Sequence, residues 1–293
     1  MRPSTAAAAL ALAGAAAFAA ACPSTWGGAV RFDGVDDSAR VESAGFMPLG
    51  NAPYTTEFWV LVDQYGSYGG GYNGMIFGRG DEGPHKLAIV AILNHHVGLT
   101  HWLPDTDTQV DLPLHLWTHV ATTWDGSTER LFIDGKPRWS AQWNPFDVRG
   151  GSVTIGAHDN GYGYFLSGAL DEVRVWDYAR SPSQIARDYR ALVDPGTPGL
   201  VACWRFDEPG GTEFVDLAHG QNGLLVNGVV REDSTIPCPC LADFNDDKSV
   251  DFFDYLDFVA AFAAEDLAAD VNRDDSVDFF DYLDFVAALD IGC

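Results

Sequence analysis

"WTHVATTWDGSTERLFIDGKPRWS" occupies Trp117–Ser140, and its reading decides the fold. The first run, "WTHVATTW" (Trp117–Trp124), is short and dense in aromatic and β-branched residues, which pack well on a pleated surface. "RLFIDG" (Arg130–Gly135) is a second such run. Asp134-Gly135 supplies the positive φ angles of a tight primed turn, so "KPRWS" folds straight back as a hairpin partner.

Outward from this segment the same grammar continues. "TEFWVLV" (Thr56–Val62), "HKLAIVAIL" (His85–Leu93) and "EVRVWD" (Glu172–Asp177) are further strands. From Ala29 to about Arg231 short β-type runs alternate with turn residues, the pattern of an all-β sandwich. One helical passage interrupts it, "SPSQIARDYRAL" (Ser181–Leu192). There Ser181 can cap, Pro182 fits the first turn, and Ile185, Tyr189 and Leu192 share a face. The chain has 293 residues, 47% of them hydrophobic and 13% aromatic, enough for one large core and a smaller one. Its net charge of −25 excludes nucleic acid as a partner, because phosphate binding needs a basic surface.

Five stretches, in order, carry a resemblance: "AVRFDGVDDSARV", "YTTEFWVLVD", "WTHVATTWDGSTERLFIDGKPRWS", "VTIGAHDNG" and "GALDEVRVWDYARSPSQI". Together they are similar to the LamG-like (concanavalin A-like) jelly-roll family over roughly Ala29–Arg190. The resemblance implies two large antiparallel sheets with a concave face. "GLVACWRFDEPGGTEFVDLAHGQNGLLVNG" (Gly199–Gly228) resembles strands that often open such a domain, and here it is expected to supply closing strands. A truncated second copy is the other reading.

Glycosidases on this fold need two carboxylates flanking the sugar bond. The nearest text to their strand signature is "DEVRVWD", in which Glu172 and Asp177 stand at an odd offset and so face opposite ways unless a bulge intervenes. The expectation is a non-enzyme; a glycoside hydrolase and a purely structural surface or adhesion protein are the alternatives. Tyr65, Tyr68 and Tyr72 lie in "QYGSYGGGYNG", and Tyr162 and Tyr164 in "DNGYGYF". These loop aromatics are read either as turn packing or as platforms for polysaccharide or glycan rings. His95, His96 and His101 are expected at the surface, since adjacent strand residues point to opposite faces. "RGD" (Arg79–Asp81) is taken as a chance tripeptide rather than an adhesion motif. Asp33 and Asp171 fall where the resembling family often holds calcium near the sandwich rim; the other reading makes them a turn and a strand-end cap.

The C-terminus repeats itself: "DFNDDKSVDFFDYLDFVAAF" (Asp243–Phe262) and "DVNRDDSVDFFDYLDFVAAL" (Asp270–Leu289). From Leu241 onward there are 15 acidic and 2 basic side chains, −13 of the total charge. Set on a twelve-residue calcium loop, positions 1, 3, 5, 7, 9 and 12 are Asp243, Asn245, Asp247, Ser249, Asp251 and Asp254. In the second copy they are Asp270, Asn272, Asp274, Ser276, Asp278 and Asp281. The spacing wraps oxygen ligands around one Ca2+ in each copy. Val250 and Val277 can then pair as a small bridge between loops. A helix follows each loop, with Tyr255, Phe258, Val259 and Phe262, or Tyr282, Phe285, Val286 and Leu289, on one face.

This tail resembles a type I dockerin of the cysteine-bracketed (GC-type) variety, which implies a cohesin-like or other surface scaffold protein as partner. Position 6, usually Gly, is Lys248 in one loop and Asp275 in the other; Asp tolerates left-handed geometry better, so the first loop is expected to be the weaker. Phe252, Phe253, Phe279 and Phe280 stand at the partner-reading positions and are read either as an apolar partner face or as filling of the small core. Cys240 and Cys293 bracket the repeat and are the expected disulfide, worth roughly 4 kcal/mol in the chain-entropy model.

Arg2 followed by the Ala-rich run to Ala21 reads as a signal peptide (1–21), with export or cell-surface location in a bacterium as the consequence. Cys22 stands where lipoprotein anchoring is an alternative to plain cleavage, and no segment reads as a transmembrane span. The expected organisation is therefore a mainly β, two-sheet antiparallel jelly roll over 29–231, a linker over 232–240, and a small all-α calcium-loop (EF-hand-like) dockerin-like unit over 241–293. Two Ca2+ ions are expected in the tail and one as an option in the jelly roll.

Overall fold

The computed structural model describes residues 26–291 except 44, 81–85, 102–104, 159–162, 238–239, 248, 273 and 275. In chain order the first eight strands are β1 (Gly28–Asp33), β2 (Ser38–Val41), β3 (Tyr54–Gln64), β4 (Tyr72–Gly80), β5 (Leu87–Leu93), β6 (His96–Thr100), β7 (Asp105–Asp111) and β8 (Thr118–Trp124). The next eight are β9 (Thr128–Ile133), β10 (Lys136–Gln142), β11 (Val153–Ile155), β12 (Ser167–Trp176), β13 (Leu200–Trp204), β14 (Glu213–Phe214), β15 (Gly223–Val226) and β16 (Val230–Asp233). They form two eight-stranded antiparallel sheets. The first runs β10-β9-β8-β3-β12-β1-β16, with β13 also on β12; the second runs β14-β15-β2-β11-β4-β5-β6-β7. The β9–β10 hairpin turns at Asp134 (φ 49°) and Gly135 (φ 74°), as its sequence requires. β13–β16 add strands to both sheets, so Gly199–Gly228 closes the sandwich rather than starting a second one.

Strand alternation builds the core. Phe58, Val60 and Val62 of β3 point inward with Val120 and Leu131, against Ile76, Val90, Ile92, Val97 and Leu99 of the second sheet. The opposite face of β3 carries Glu57 and Trp59, yet both are buried, because helix α1 (Pro182–Asp188) lies on the outer surface of the first sheet. Ser181 and Gln184 form a reciprocal capping box at its start, which satisfies two free N–H groups. Ile185 packs on Ala121 and Phe132, and the Trp59 indole N–H donates to the Tyr189 carbonyl at 3.0 Å.

Charged groups are sealed beneath α1. Glu57 accepts from Arg180 at 2.9 Å and from the Trp176 indole at 2.7 Å; Arg174 reaches Glu172 at 2.7 Å and the Ala191 carbonyl at 2.6 Å. Burial pushes Glu57 upward, but Arg180, Arg174 and His119 outweigh it and hold the carboxyl below its usual range. β12 can serve two neighbours because a bulge separates its halves: Ser167–Leu170 pair with β1 and Val173–Trp176 with β13. Glu172, inside that bulge, adopts φ 51°.

Burial drives the His119 imidazole down from 6.5 to about 3. A group depressed on folding stabilises above its unfolded pKa and loses that contribution as pH falls toward the folded value. Stability is expected to drop by about 1.4 kcal/mol per pH unit between roughly pH 6 and pH 3 from this residue. Urea melts over that range check it: His119→Gln should flatten the slope, and an unchanged slope contradicts it.

The tail holds helices α2 (Phe252–Ala263) and α3 (Phe279–Ile291). Phe258 and Phe285, both fully buried, stack at 4.1 Å and 9°, with Phe244 edge-on to each. Val286 departs from the expected face and is 37% exposed. Val250 and Val277 lie in irregular backbone rather than pairing as a bridge. Among the described residues no helix is long and apolar enough to cross a membrane.

Candidate functional site

The outer face of the second sheet gathers the chemistry that suits a polar, ring-shaped ligand. Residues opposite one another in register share a face. Met75, Ala91, Gly98 and Asp107 therefore form one row across β4–β7, and Ile89, Thr100 and Asp105 form the next. Tyr72 and Tyr164 pack over Met75, Ile89 and Ala91. Their rings stack at 4.8 Å, with Tyr68 edge-on to Tyr164 at 5.4 Å. Beside them Asp107 accepts from the Asn94 amide at 2.9 Å and meets His96 Nδ1 at 2.8 Å. Burial raises the Asp107 carboxyl, but hydrogen bonds from Asn94, the Gln109 N–H and His96 outweigh it and leave the pKa lowered. Thr100 donates to Asp105. Burial, reinforced by Asp105, raises the Tyr72 phenol well above its usual value, so it stays a neutral donor.

The other sequence candidates disperse. Tyr65 stacks on His95 at 4.3 Å and donates to the Leu112 carbonyl, apart from the Tyr72–Tyr164 pair. Tyr162 lies outside the described residues. His96 joins Asp107, whereas His101 is buried against Glu129 and Phe146, contrary to its expected surface position. Arg79, which opens the tripeptide, is also buried, its guanidinium 4.4 Å over the Tyr54 ring; Asp81 lies outside the described residues. Glu172 is sealed by Arg174 and Arg205 while Asp177 is exposed, so these two form no carboxylate pair.

Asp33 and Asp171 also separate. Asp33 faces Ser167 across β1–β12, and Asp171 lies four residues further along, about 13 Å away. Asp33 instead groups with Asp36 and Asp37, one oxygen of each lying within 4.8 Å of the others. Asp37 is 3% exposed, and its Oδ1 has no hydrogen-bond partner among the described residues. Asp171 is fully buried beside Glu172, and that burial raises its pKa.

In the tail both loops repeat one set of contacts. Asp254 accepts from the Asn245 N–H (3.1 Å) and the Asp251 N–H (2.8 Å); Asp281 accepts likewise from Asn272 (3.2 Å) and Asp278 (2.8 Å). Asp243 and Asn245 accept from the Asp247 N–H, as Asp270 and Asn272 do from the Asp274 N–H. Asp247 and Asp274 cap the N–H groups of Ser249 and Ser276. Asp251 and Asp278 accept from Phe253 and Phe280 N–H, so loop position 9 is also the helix cap. Asp254 and Asp281 are 0% exposed, and among the described residues neither meets an arginine or lysine. Fully buried carboxylates offset only by N–H dipoles, in an all-oxygen set, fit a hard divalent cation. Lys248 and Asp275 lie outside the described residues.

Phe252, Phe253, Phe279 and Phe280 are 63–66% exposed and stand outside the Phe258–Phe285 core. Cys240 is not a free thiol, whereas Cys22, Cys238 and Cys293 lie outside the described residues. Cys203 is a buried free thiol that burial pushes up to about 11.

Comparisons with known proteins follow the sandwich. Rat (Rattus norvegicus) C-reactive protein is 32% identical over 82 residues, 25% of this chain and 36% of that one. A Bacteroides ovatus protein described as a candidate carbohydrate binder superposes with TM-score 0.58 at 21% identity, over 74% of this chain and 62% of its own. The heptameric SAP-like pentraxin of Limulus polyphemus gives 0.50 at 14% identity, over 72% and 96%. The match thus spans about a third of the rat protein and under two thirds of the Bacteroides chain. The sequence profile of the concanavalin A-like lectin/glucanases superfamily matches residues 33–186. That match covers more than half of the chain and takes in strands β2–β12 of the two-sheet sandwich, so the chain belongs to the concanavalin A-like lectin/glucanases superfamily.

Proposed function

We propose that the chain is an exported, non-catalytic glycan-binding protein whose sandwich (29–231) is tethered through a linker (232–240) and a calcium-folded dockerin-like tail (241–293). The observation that carries it is an opposition of faces. The tyrosine pair and its Asp107–His96–Asn94 neighbours occupy the outer face of the second sheet. The tail contacts α1, on the outer face of the first. A ligand held on one side thus leaves the tether free on the other. Stacked aromatic rings next to oriented carboxylate and amide groups suit sugar rings and their hydroxyls. A Bacteroides fold-mate described as a carbohydrate binder agrees with this reading.

The tail loops would hold two Ca2+ ions, with Asp243, Asn245, Asp247, Asp254 and their counterparts Asp270, Asn272, Asp274, Asp281 as side-chain ligands. Ser249 and Ser276 would give carbonyl oxygens; Asp251 and Asp278 would act at position 9, often through water. The Asp33–Asp36–Asp37 group is the place for a third ion, without Asp171. The exposed Phe252, Phe253, Phe279 and Phe280 would meet a cohesin-like or other scaffold protein, and a Cys240–Cys293 disulfide would close the tail.

A glycan array probed with the full chain tests the binding role. Any positive glycan should lose about tenfold in affinity with Tyr164→Ala, about 1.4 kcal/mol, the scale of one aromatic contact. A blank array, or retention of full affinity by the Tyr164→Ala/Asp107→Ala double variant, contradicts it.

A further inference from the structure

Helix α1 belongs to the body, yet its last turn reaches a calcium-loop position of the tail. Arg187 Nη1 lies 3.1 Å from Asp270 Oδ2, with the two side chains 12% and 0% exposed. The other oxygen of Asp270 accepts the Asp274 N–H at 3.1 Å, so the carboxylate is divided between its loop and the body. Arg187 is braced from behind: Asp188 receives its Nε at 2.7 Å and its Nη2 at 3.0 Å. Asp188 also receives Arg180, which binds Glu57 in the buried network. The body's other cations at this junction act on the first loop at different atoms. Arg190 pairs with Asp246 at position 4, and Lys136 donates to the Asn245 carbonyl at 2.6 Å. Neither is among the ligand atoms named above. A cleft of about 150 Å³ lies between the two parts, so the junction is not a sealed core.

We propose that Arg187 serves as a protein-borne counter-cation of the second loop and makes its ion binding the weaker of the two. The inference rests on the calcium reading above. A guanidinium held against the position-1 carboxylate lowers the charge that loop offers, and like charges a few ångströms apart oppose joint occupancy. Loading is then stepwise. The first ion folds the tail while Arg187 still occupies the edge of the second loop, and the second ion enters at higher calcium. Coupling is reciprocal, so the second ion must in turn weaken the α1–tail contact. The body thereby sets the calcium concentration at which its own tether loosens. This ranking opposes the one that Lys248 at position 6 gives.

Calorimetric titration of the calcium-stripped full chain with CaCl2 tests it, using wild type, Arg187→Gln and Arg190→Gln, with deuterium exchange of residues 182–190 as a second readout. Expected are two tail sites at least tenfold apart, with the weaker removed by Asp281→Ala. Arg187→Gln should tighten that site about tenfold, and Arg190→Gln should change either site less than threefold. Exchange over 182–190 should rise between one and two equivalents of Ca2+ in wild type. Arg187→Gln that leaves the weaker site unchanged or weakens it overturns the inference while the calcium reading stands. Equal effects of both arginine variants overturn it too, as a general charge effect. Absence of any uptake by wild type overturns both.

Discussion

Excess EGTA is expected to abolish the helical circular-dichroism signal of α2 and α3 while the β-sheet signal of the body persists. These helices are 12 and 13 residues long, near the length at which isolated helices are marginal in water. Their shared core is small: Phe258 stacked on Phe285, with Ala269 and Val271 buried beside them and Phe244, Tyr255, Phe262 and Tyr282 only half-buried around them. Units this small rarely fold without a metal or disulfide. Against that core stand 15 acidic side chains facing 2 basic ones from Leu241 onward. Asp254 and Asp281 are wholly buried and help to start the helices, since each closes a hydrogen bond to the N–H of its own cap residue. Without a divalent ion their mutual repulsion and desolvation fall on that same first turn. Ellipticity at 222 nm is the readout, and a spectrum unmoved by chelator contradicts the expectation.

The second large effect lies in the body. Glu57→Ala is expected to cost about 3–5 kcal/mol, the range for breaking one side of a buried ion pair. The Glu57 side chain is 0% exposed and compensates Arg180, with Arg174 at 3.9 Å and His119 at 3.7 Å. Its removal leaves guanidinium charge sealed under α1 with no water to replace the carboxylate. Guanidinium denaturation followed by tryptophan fluorescence measures the change. A shift under 1 kcal/mol would show that solvent reaches these charges.

Much of the sandwich is legible because strand periodicity and turn chemistry are local. Asp134-Gly135 specifies its hairpin, Ser181-Pro182 specifies the start of α1, and the loop spacing in the tail falls on the residues that share hydrogen-bond patterns. The site is less legible because it depends on register between distant strands. Ala91, Gly98 and Asp107 are unremarkable in the sequence, and they line up only through the β5–β6 and β6–β7 pairings. Asn94 and Asp107 were missed for that reason, although the polar alternation of "DTDTQVD" (Asp105–Asp111) signals a strand with one wet face. Asp33 and Asp171 parted for the same cause: their spacing along two strands is set by the β1–β12 register. No local rule could give Arg187 as a neighbour of Asp270, because the contact joins residues far apart in the chain.

Whether the repeated acidic segments enclose metal at all is settled most directly by counting ions. Calcium bound per chain, measured by atomic spectrometry after dialysis against saturating, millimolar Ca2+ and subtraction of the dialysate level, is expected to fall by two between wild type and the Asp254→Ala/Asp281→Ala double variant. Equal counts in the two proteins would mean that those buried carboxylates hold no ion, and the proposed tether would lose its physical basis.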